Sequence, residues 1–146
     1  MSVADPGLFF LDTNILVYSF DSSSPQKQRI ALDLIEQALS SRRGVISSQI
    51  VQEFLNVALG KFARPMTVSE AREYLHTILM PLCQHYPSLA DYDQALLVKE
   101  TSGYSFYDAL VVSAAAVMGC QTLYSEDLQT GRSINGVRIL NPFASV

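Results

Sequence analysis

Four carboxylates, Asp12, Glu53, Asp108 and Asp127, are each set in an apolar stretch of a lightly charged chain. Asp12 ends the run Leu8-Phe9-Phe10-Leu11, and Glu53 lies inside Ile50-Val51-Gln52-Glu53-Phe54-Leu55. Asp108 sits inside Tyr104-Ser105-Phe106-Tyr107-Asp108-Ala109-Leu110, and Asp127 lies just past Thr122-Leu123-Tyr124, with two residues between. A carboxylate removed from water is expensive unless something neutralises it. A divalent cation held by oxygen ligands is a common solution, and it brings phosphodiester chemistry with it. Two such charges about 4 Å apart repel by roughly 4 kcal/mol at an effective dielectric near 20. A cluster of them therefore keeps a proton or takes up a cation. The ligands are all oxygen and no His/Cys cluster is present, which points to Mg²⁺ or Mn²⁺. Glycoside hydrolysis also uses paired carboxylates, but this chain has no Trp to serve as a sugar platform.

The elements that must position these acids are short. Leu8 to Leu11 reads as a buried strand running into Asp12-Thr13-Asn14, a helix-start signal, with a short helix over Ile15 to Phe20. Pro25 suits a first helical position, and apolar residues from Ile30 to Leu39 recur at helical spacing up to about Ser40. Gly44 breaks that helix, and Val45-Ile46-Ser47 is a strand. Ser48 to Leu59 is helical, with Gly60 as its expected cap. Thr67 caps a helix expected to run to Met80 and to stop at Pro81, and a brief strand falls over Leu82-Cys83-Gln84. Ser88 to Glu100 and Ser105 to Met118 are the last helices, and Thr122 to Tyr124 and Val137 to Leu140 the last strands. Short apolar strands alternating with helices indicate an α/β fold, a mostly parallel sheet with helices on both faces. Ligands in such folds bind beyond the carboxyl ends of the strands, the edge to which this pattern assigns all four acids.

At 146 residues the chain suits one domain, 1–146. Its 49% apolar and 16% charged content describes a globular protein. The net charge of −4 argues against nucleic-acid binding over the whole surface but leaves room for a local basic strip. Cys83 and Cys120 form no CxxC pair and read as reduced thiols. The N-terminus lacks a basic segment ahead of its apolar residues, and no run is long enough to span a bilayer, so the expected location is the cytoplasm, with no membrane partner.

Each acid also has a purely structural reading. Asp12 suits a helix N-cap, worth about 1 kcal/mol. Ser105 to Asp108 resembles a capping box, Asp127 suits a turn, and Glu53 could sit on an exposed helix flank.

Together, the segments FFLDTNILVYSFD, GVISSQIVQEFLNV, GYSFYDALVVSAAAVMGCQTLYSEDLQTG and INGVRILNPF resemble the PIN-domain ribonucleases. They are most similar to the VapC-like toxins of type II toxin–antitoxin systems. The resemblance covers nearly the whole chain in order. It implies a PIN-like three-layer α/β/α sandwich and an Mg²⁺- or Mn²⁺-dependent endoribonuclease. Its acidic quartet falls on Asp12, Glu53, Asp108 and Asp127, as both catalytic residues and metal ligands, with Glu126 competing with Asp127 for the last place. Ser125, Thr13 and Asn14 take supporting positions, although capping explains Thr13 and Asn14 equally well. Arg132, just past the last acids, is the first choice for an RNA phosphate contact, ahead of Lys27, Arg29, Lys61 and Arg64. Each of these also reads as a solvated charge, and Arg42 and Arg43 belong at the opposite edge. The implied partners are an RNA substrate, a cognate antitoxin and a second copy in a homodimer.

The competing reading is a PIN-like domain that binds RNA or protein without cleaving, its acids serving as caps. A phosphatase with Asp12 as nucleophile fits poorly, because Asn14 stands where a second aspartate would be needed.

Overall fold

The apolar strands demand burial on both faces, and the fold supplies it. In a computed structural model that describes residues 7–146, six strands form one sheet in the order β3-β2-β1-β4-β6-β5. They are β1 (Leu8–Leu11), β2 (Gly44–Ser47), β3 (Cys83–His85), β4 (Cys120–Tyr124), β5 (Ser133–Ile134) and β6 (Val137–Leu140). All neighbours are parallel except β5 and β6, which pair antiparallel. Phe10, Leu11, Ile46, Leu123 and Ile139 are fully buried along the central strands.

The helices are α1 (Thr13–Tyr18), α2 (Pro25–Ser41), α3 (Ser48–Gly60), α4 (Val68–Tyr74), α5 (Met80–Leu82), α6 (Leu89–Ser102) and α7 (Phe106–Val117). Chain direction explains their placement. From β1 to β2 to β3 the chain steps one way across the sheet, and from β3 to β4 it returns past β1. Right-handed crossovers then put α1 to α5 on one face and α6 with α7 on the other. The contacts agree: α1 packs on α2 and α3, and α6 packs on α7, which lies against β2, β4 and β6. The connections leaving β1 and β4 diverge, the arrangement in which α/β folds place a ligand crevice at the carboxyl ends of the strands.

Several boundaries depart from the sequence reading. α3 runs through Gly60, and its cap is Lys61 in a right-handed conformation, with its N–H bonded to the Val57 carbonyl. Pro81 does not end its helix. A π-turn over Leu75–Leu79 bridges α4 to α5, and the chain stays helical to Leu82. Proline lacks an N–H and crowds the carbonyl four residues back, and a widened turn just before it relieves that conflict. α6 extends to Ser102 and buries Asp91, Ala95 and Val98, leaving Leu89 and Leu96 exposed. β5 has only two residues and no sequence signal. Cys83 and Cys120 are both free thiols.

Gly44 is required by close approach. A Cβ there would lie 2.1 Å from the Ala38 Cβ and 2.5 Å from its Cα, so α2 and β2 touch backbone to side chain. Gly44→Ala is expected to lower stability at or above the upper end of the ~1–3 kcal/mol typical of overpacking. A reduced urea midpoint at an unchanged m-value measures it. Among the described residues no helix is long and apolar enough to cross a membrane.

Candidate active site

Asp12 stands at the crevice because β1 ends there. Its N–H donates to the Tyr124 carbonyl (3.0 Å), prolonging the β1–β4 ladder by one residue. Its side chain caps α1, with Oδ1 accepting from the Thr13 N–H at 2.8 Å, and Oδ2 accepts from the Ser125 hydroxyl at 2.7 Å. Ser125 follows β4 directly and is completely buried. The capping reading of Asp12 is therefore correct, and it does not compete with a place in the cleft.

The remaining acids are tied to Asp12 through its neighbours. Thr13 Oγ1 donates to Glu53 Oε2 at 2.5 Å, bringing the second turn of α3 against the first turn of α1. Gln49, one helical turn before Glu53, donates through Nε2 to Glu53 Oε1 (2.8 Å) and to the Tyr107 carbonyl (3.0 Å). Asn14 Nδ2 donates to Asp127 Oδ2 at 3.1 Å, while Asn14 Oδ1 accepts from the Glu126 N–H at 3.2 Å. Asp127 N–H in turn donates to Ser125 Oγ at 3.2 Å.

Asp108 is linked to this group through the carbonyl of its neighbour Tyr107. Ser105 caps α7 by accepting from the Asp108 N–H at 3.2 Å, but the reciprocal bond of a full capping box is not made. The Asp108 carboxylate is half-buried, and the carbonyl of the preceding Tyr107 is held by the same Gln49 that grips Glu53.

The adjacent acids Glu126 and Asp127 have different surroundings. Glu126 is an ion pair with Lys27 (2.7 Å) and accepts from the Tyr18 hydroxyl (2.7 Å). Partial burial opposes its ionisation, but these two bonds outweigh it and hold the carboxyl below its usual range. Lys27 also lies over the Tyr18 ring at 4.8 Å, so its charge is spent on this cluster. Arg132, expected to meet RNA, is engaged within the fold. Its guanidinium donates to the Ser102 carbonyl (3.0 Å) and lies 5.1 Å from the Tyr104 ring centre, pinning the α6–α7 loop. Arg42 lies at the far edge with Leu8 and Gly44, where a cavity of about 500 Å³ opens away from the acids.

Electrostatics follow from this geometry. Burial pushes the Asp12 carboxyl up to about 6 from 3.8, and repulsion from Glu53 and Asp127 adds to the rise, against the bonds from Ser125 and Thr13. Among the described residues no cationic side chain offsets this repulsion at Asp12. Among the described residues no three acids, histidines or cysteines converge tightly enough to form a finished metal cage. The donor set is nonetheless all oxygen, and a buried carboxylate flanked by two others without a counter-charge is the environment a hard divalent cation relieves.

Gln49 escaped the sequence reading, although its i, i+4 spacing from Glu53 on a helix was a usable signal. The pairing of Tyr18 and Lys27 with Glu126 had none, since it joins three separate segments.

Three solved structures share this architecture. The FitAcB structure from Neisseria gonorrhoeae is 16% identical over 94% of this chain and 99% of that chain, with a TM-score of 0.63. A toxin–antitoxin complex from Klebsiella pneumoniae is 18% identical over 91% and 96%, with a TM-score of 0.64. VapBC2 from Rickettsia felis, bound to a DNA fragment from its promoter, is 17% identical over 90% and 96%, with a TM-score of 0.58. At such identities the likeness establishes the fold. No curated protein sequence matches the chain. The PIN domain pattern matches residues 9–132, which span β1 through the loop after β4 and include every acid described above; the chain belongs to the PIN-domain family.

Proposed function

We propose that the protein is a divalent-metal-dependent endoribonuclease, a single PIN domain over residues 1–146 acting as the toxin of a toxin–antitoxin pair. The observation that carries this reading is the buried Asp12 carboxylate at the strand crossover, pressed by Glu53 and Asp127 and lacking a cationic partner among the described residues. Asp12, Glu53, Asp108 and Asp127 would hold Mg²⁺ or Mn²⁺, and Glu126, already paired with Lys27, would stay outside. The ion, when bound, supplies charge to a phosphate oxygen and lowers the pKa of a water. The chain supplies the rest. Ser125 and Thr13 fix both oxygens of Asp12, Thr13 and Gln49 fix both oxygens of Glu53, and Asn14 fixes Asp127. Such second-layer bonds preset the ligands and keep their reorganisation small. One of the carboxylates, so positioned, orients or deprotonates the attacking water.

The toxin assignment draws on the shared fold of the toxin–antitoxin structures, and with it come a small antitoxin partner, a homodimer and a cytoplasmic setting. A second reading, a PIN-like domain that binds RNA or protein without cleaving, is favoured by the acids' satisfaction within the fold, Asp12 as a cap and Asp127 by Asn14.

Cleavage of a mixed RNA pool with Mg²⁺ or Mn²⁺ separates the two. Wild-type protein is expected to cut, with EDTA, Asp12→Ala and Asp108→Asn each abolishing the activity. Full activity in both variants, or activity in EDTA, overturns the metal mechanism. Binding without cleavage establishes the second reading. Growth arrest on expression, lost in the same variants, tests the toxin role.

A further inference from the structure

Beside the acids runs a groove of about 460 Å³ whose aromatic walls have no part in holding the carboxylates. Its lining includes Gln49, Gln52, Pro87, Tyr92, Phe106 and Tyr107, with no charged side chain among them. Tyr92 and Phe106 lie 6.1 Å apart between ring centres, and Phe106 and Tyr107 lie 5.7 Å apart in an edge-to-face pair. Tyr107 is 68% exposed, although it occupies the first turn of α7 and immediately precedes Asp108.

Gln49 joins this groove to the acids. It is buried, and its Nε2 serves two groups that can only accept, the Glu53 carboxylate and the Tyr107 carbonyl. Chemistry thus settles the orientation of the amide, and its Oε1 is an enclosed acceptor without a hydrogen-bond partner among the described residues. An exposed ring over an uncharged, partly aromatic lining, next to the proposed phosphodiester-cleaving site, matches the needs of one ligand group. A nucleobase offers a π-face to stack on the ring, while its phosphate lies on the side of the acids.

We propose that this groove is a stacking subsite for an unpaired nucleobase of single-stranded RNA, with Tyr107 as its platform. The proposal rests on the endoribonuclease reading and names the part of the substrate that this face takes. Continuity with the acids through Gln49 favours RNA over a protein segment, since the nucleotide beside the scissile phosphate must pass this wall.

The test uses the full chain carrying Asp12→Asn, so that no cleavage intervenes, and fluorescence anisotropy with two labelled ligands in Mg²⁺. One is a short oligoadenylate, and the other is the matching abasic ribose-phosphate oligomer. Stacking of one base is worth ~1–3 kcal/mol, so the base-bearing ligand is expected to bind roughly five- to a hundredfold more tightly. Adding Tyr107→Ala should erase that ratio and leave the abasic ligand unaffected, whereas Tyr107→Phe should preserve it. Equal binding of both ligands, an equal loss for both on Tyr107→Ala, or no binding of either overturns the subsite. So does a change of oligomeric state in sedimentation with the ratio intact, which would assign the ring to a protein interface. The two readings fail separately: base-dependent binding without metal-dependent cleavage by the unmutated chain removes the nuclease and leaves the subsite, and the converse removes the subsite alone.

Discussion

Asp12→Asn is expected to reduce RNA cleavage by more than a hundredfold and, at the same time, to make the protein more stable at neutral pH. Loss of a group that merely supports a ligand typically costs ten- to a hundredfold, and Asp12 is proposed as a ligand itself. The stability gain comes from linkage. The folded Asp12 carboxyl titrates at about 6 and the unfolded one at its ordinary 3.8, so the native state binds this proton more tightly. Ionising it is therefore destabilising, by about 3 kcal/mol once the pH is above the folded value. That penalty is absent below about pH 4, grows between there and pH 6, and is constant above. Asparagine carries no such charge, still caps α1, and can exchange a hydrogen bond with Ser125, whose hydroxyl donates or accepts. Thermal unfolding at pH 8 should thus favour the variant, and the difference should fade as the pH falls toward 4. Added Mg²⁺ should raise the wild-type transition and leave that of the variant nearly unchanged, because binding to the native state alone stabilises it. A variant less stable than wild type at pH 8 would contradict the account of Asp12 as a strained, uncompensated charge.

Phe54→Ala is expected to be the most damaging core substitution. Phe54 is fully buried in α3, with Tyr74 at 4.8 Å, Phe20 at 5.8 Å and Phe62 at 6.0 Å between ring centres. Phe20 closes the group against Phe62 (5.4 Å) and Tyr74 (5.2 Å), so four rings from four segments share one site. Removing the central ring loses its transfer energy and leaves a cavity that rigid neighbours cannot fill, a loss of ~3–5 kcal/mol. Phe54→Leu should cost considerably less, which separates loss of volume from loss of ring geometry. The same helix carries Gln49 and Glu53, so activity should fall in Phe54→Ala even at temperatures where it remains folded. Urea unfolding followed by tyrosine fluorescence and by far-UV circular dichroism measures the loss and tests whether the transition stays two-state.

Much of this architecture is legible in the sequence. The apolar run at β1 and the Val45-Ile46 pair of β2 lie in the sheet interior as their composition requires, while β6 alternates, burying Val137 and Ile139 and exposing Arg138. Thr67 and Ser88 cap their helices because a hydroxyl followed three residues later by an acid can satisfy two backbone donors at once. What local pattern misjudged were the helix ends. Pro81 was tolerated through a π-turn and Gly60 through simple continuation, because tertiary packing outweighed a local preference worth about 1 kcal/mol for glycine.

For the site, the sequence by itself supplied the candidate acids and, through the alternation of strands and helices, the edge of the sheet at which to expect them. It could not determine how each acid is used, since that depends on contacts between residues up to 113 positions apart, such as Ser125 with Asp12 and Asn14 with Asp127. Only the tertiary structure separated Asp127 from Glu126, by placing Lys27 and Tyr18 beside one and Asn14 beside the other. It also drew Arg132 into the α6–α7 loop and tied Tyr107 to Glu53 through a single buried amide. The physical reason is common to all of these. Residue type fixes what a group can do, but burial and the nearest partner decide its charge and its orientation, and both are set by segments remote in the chain.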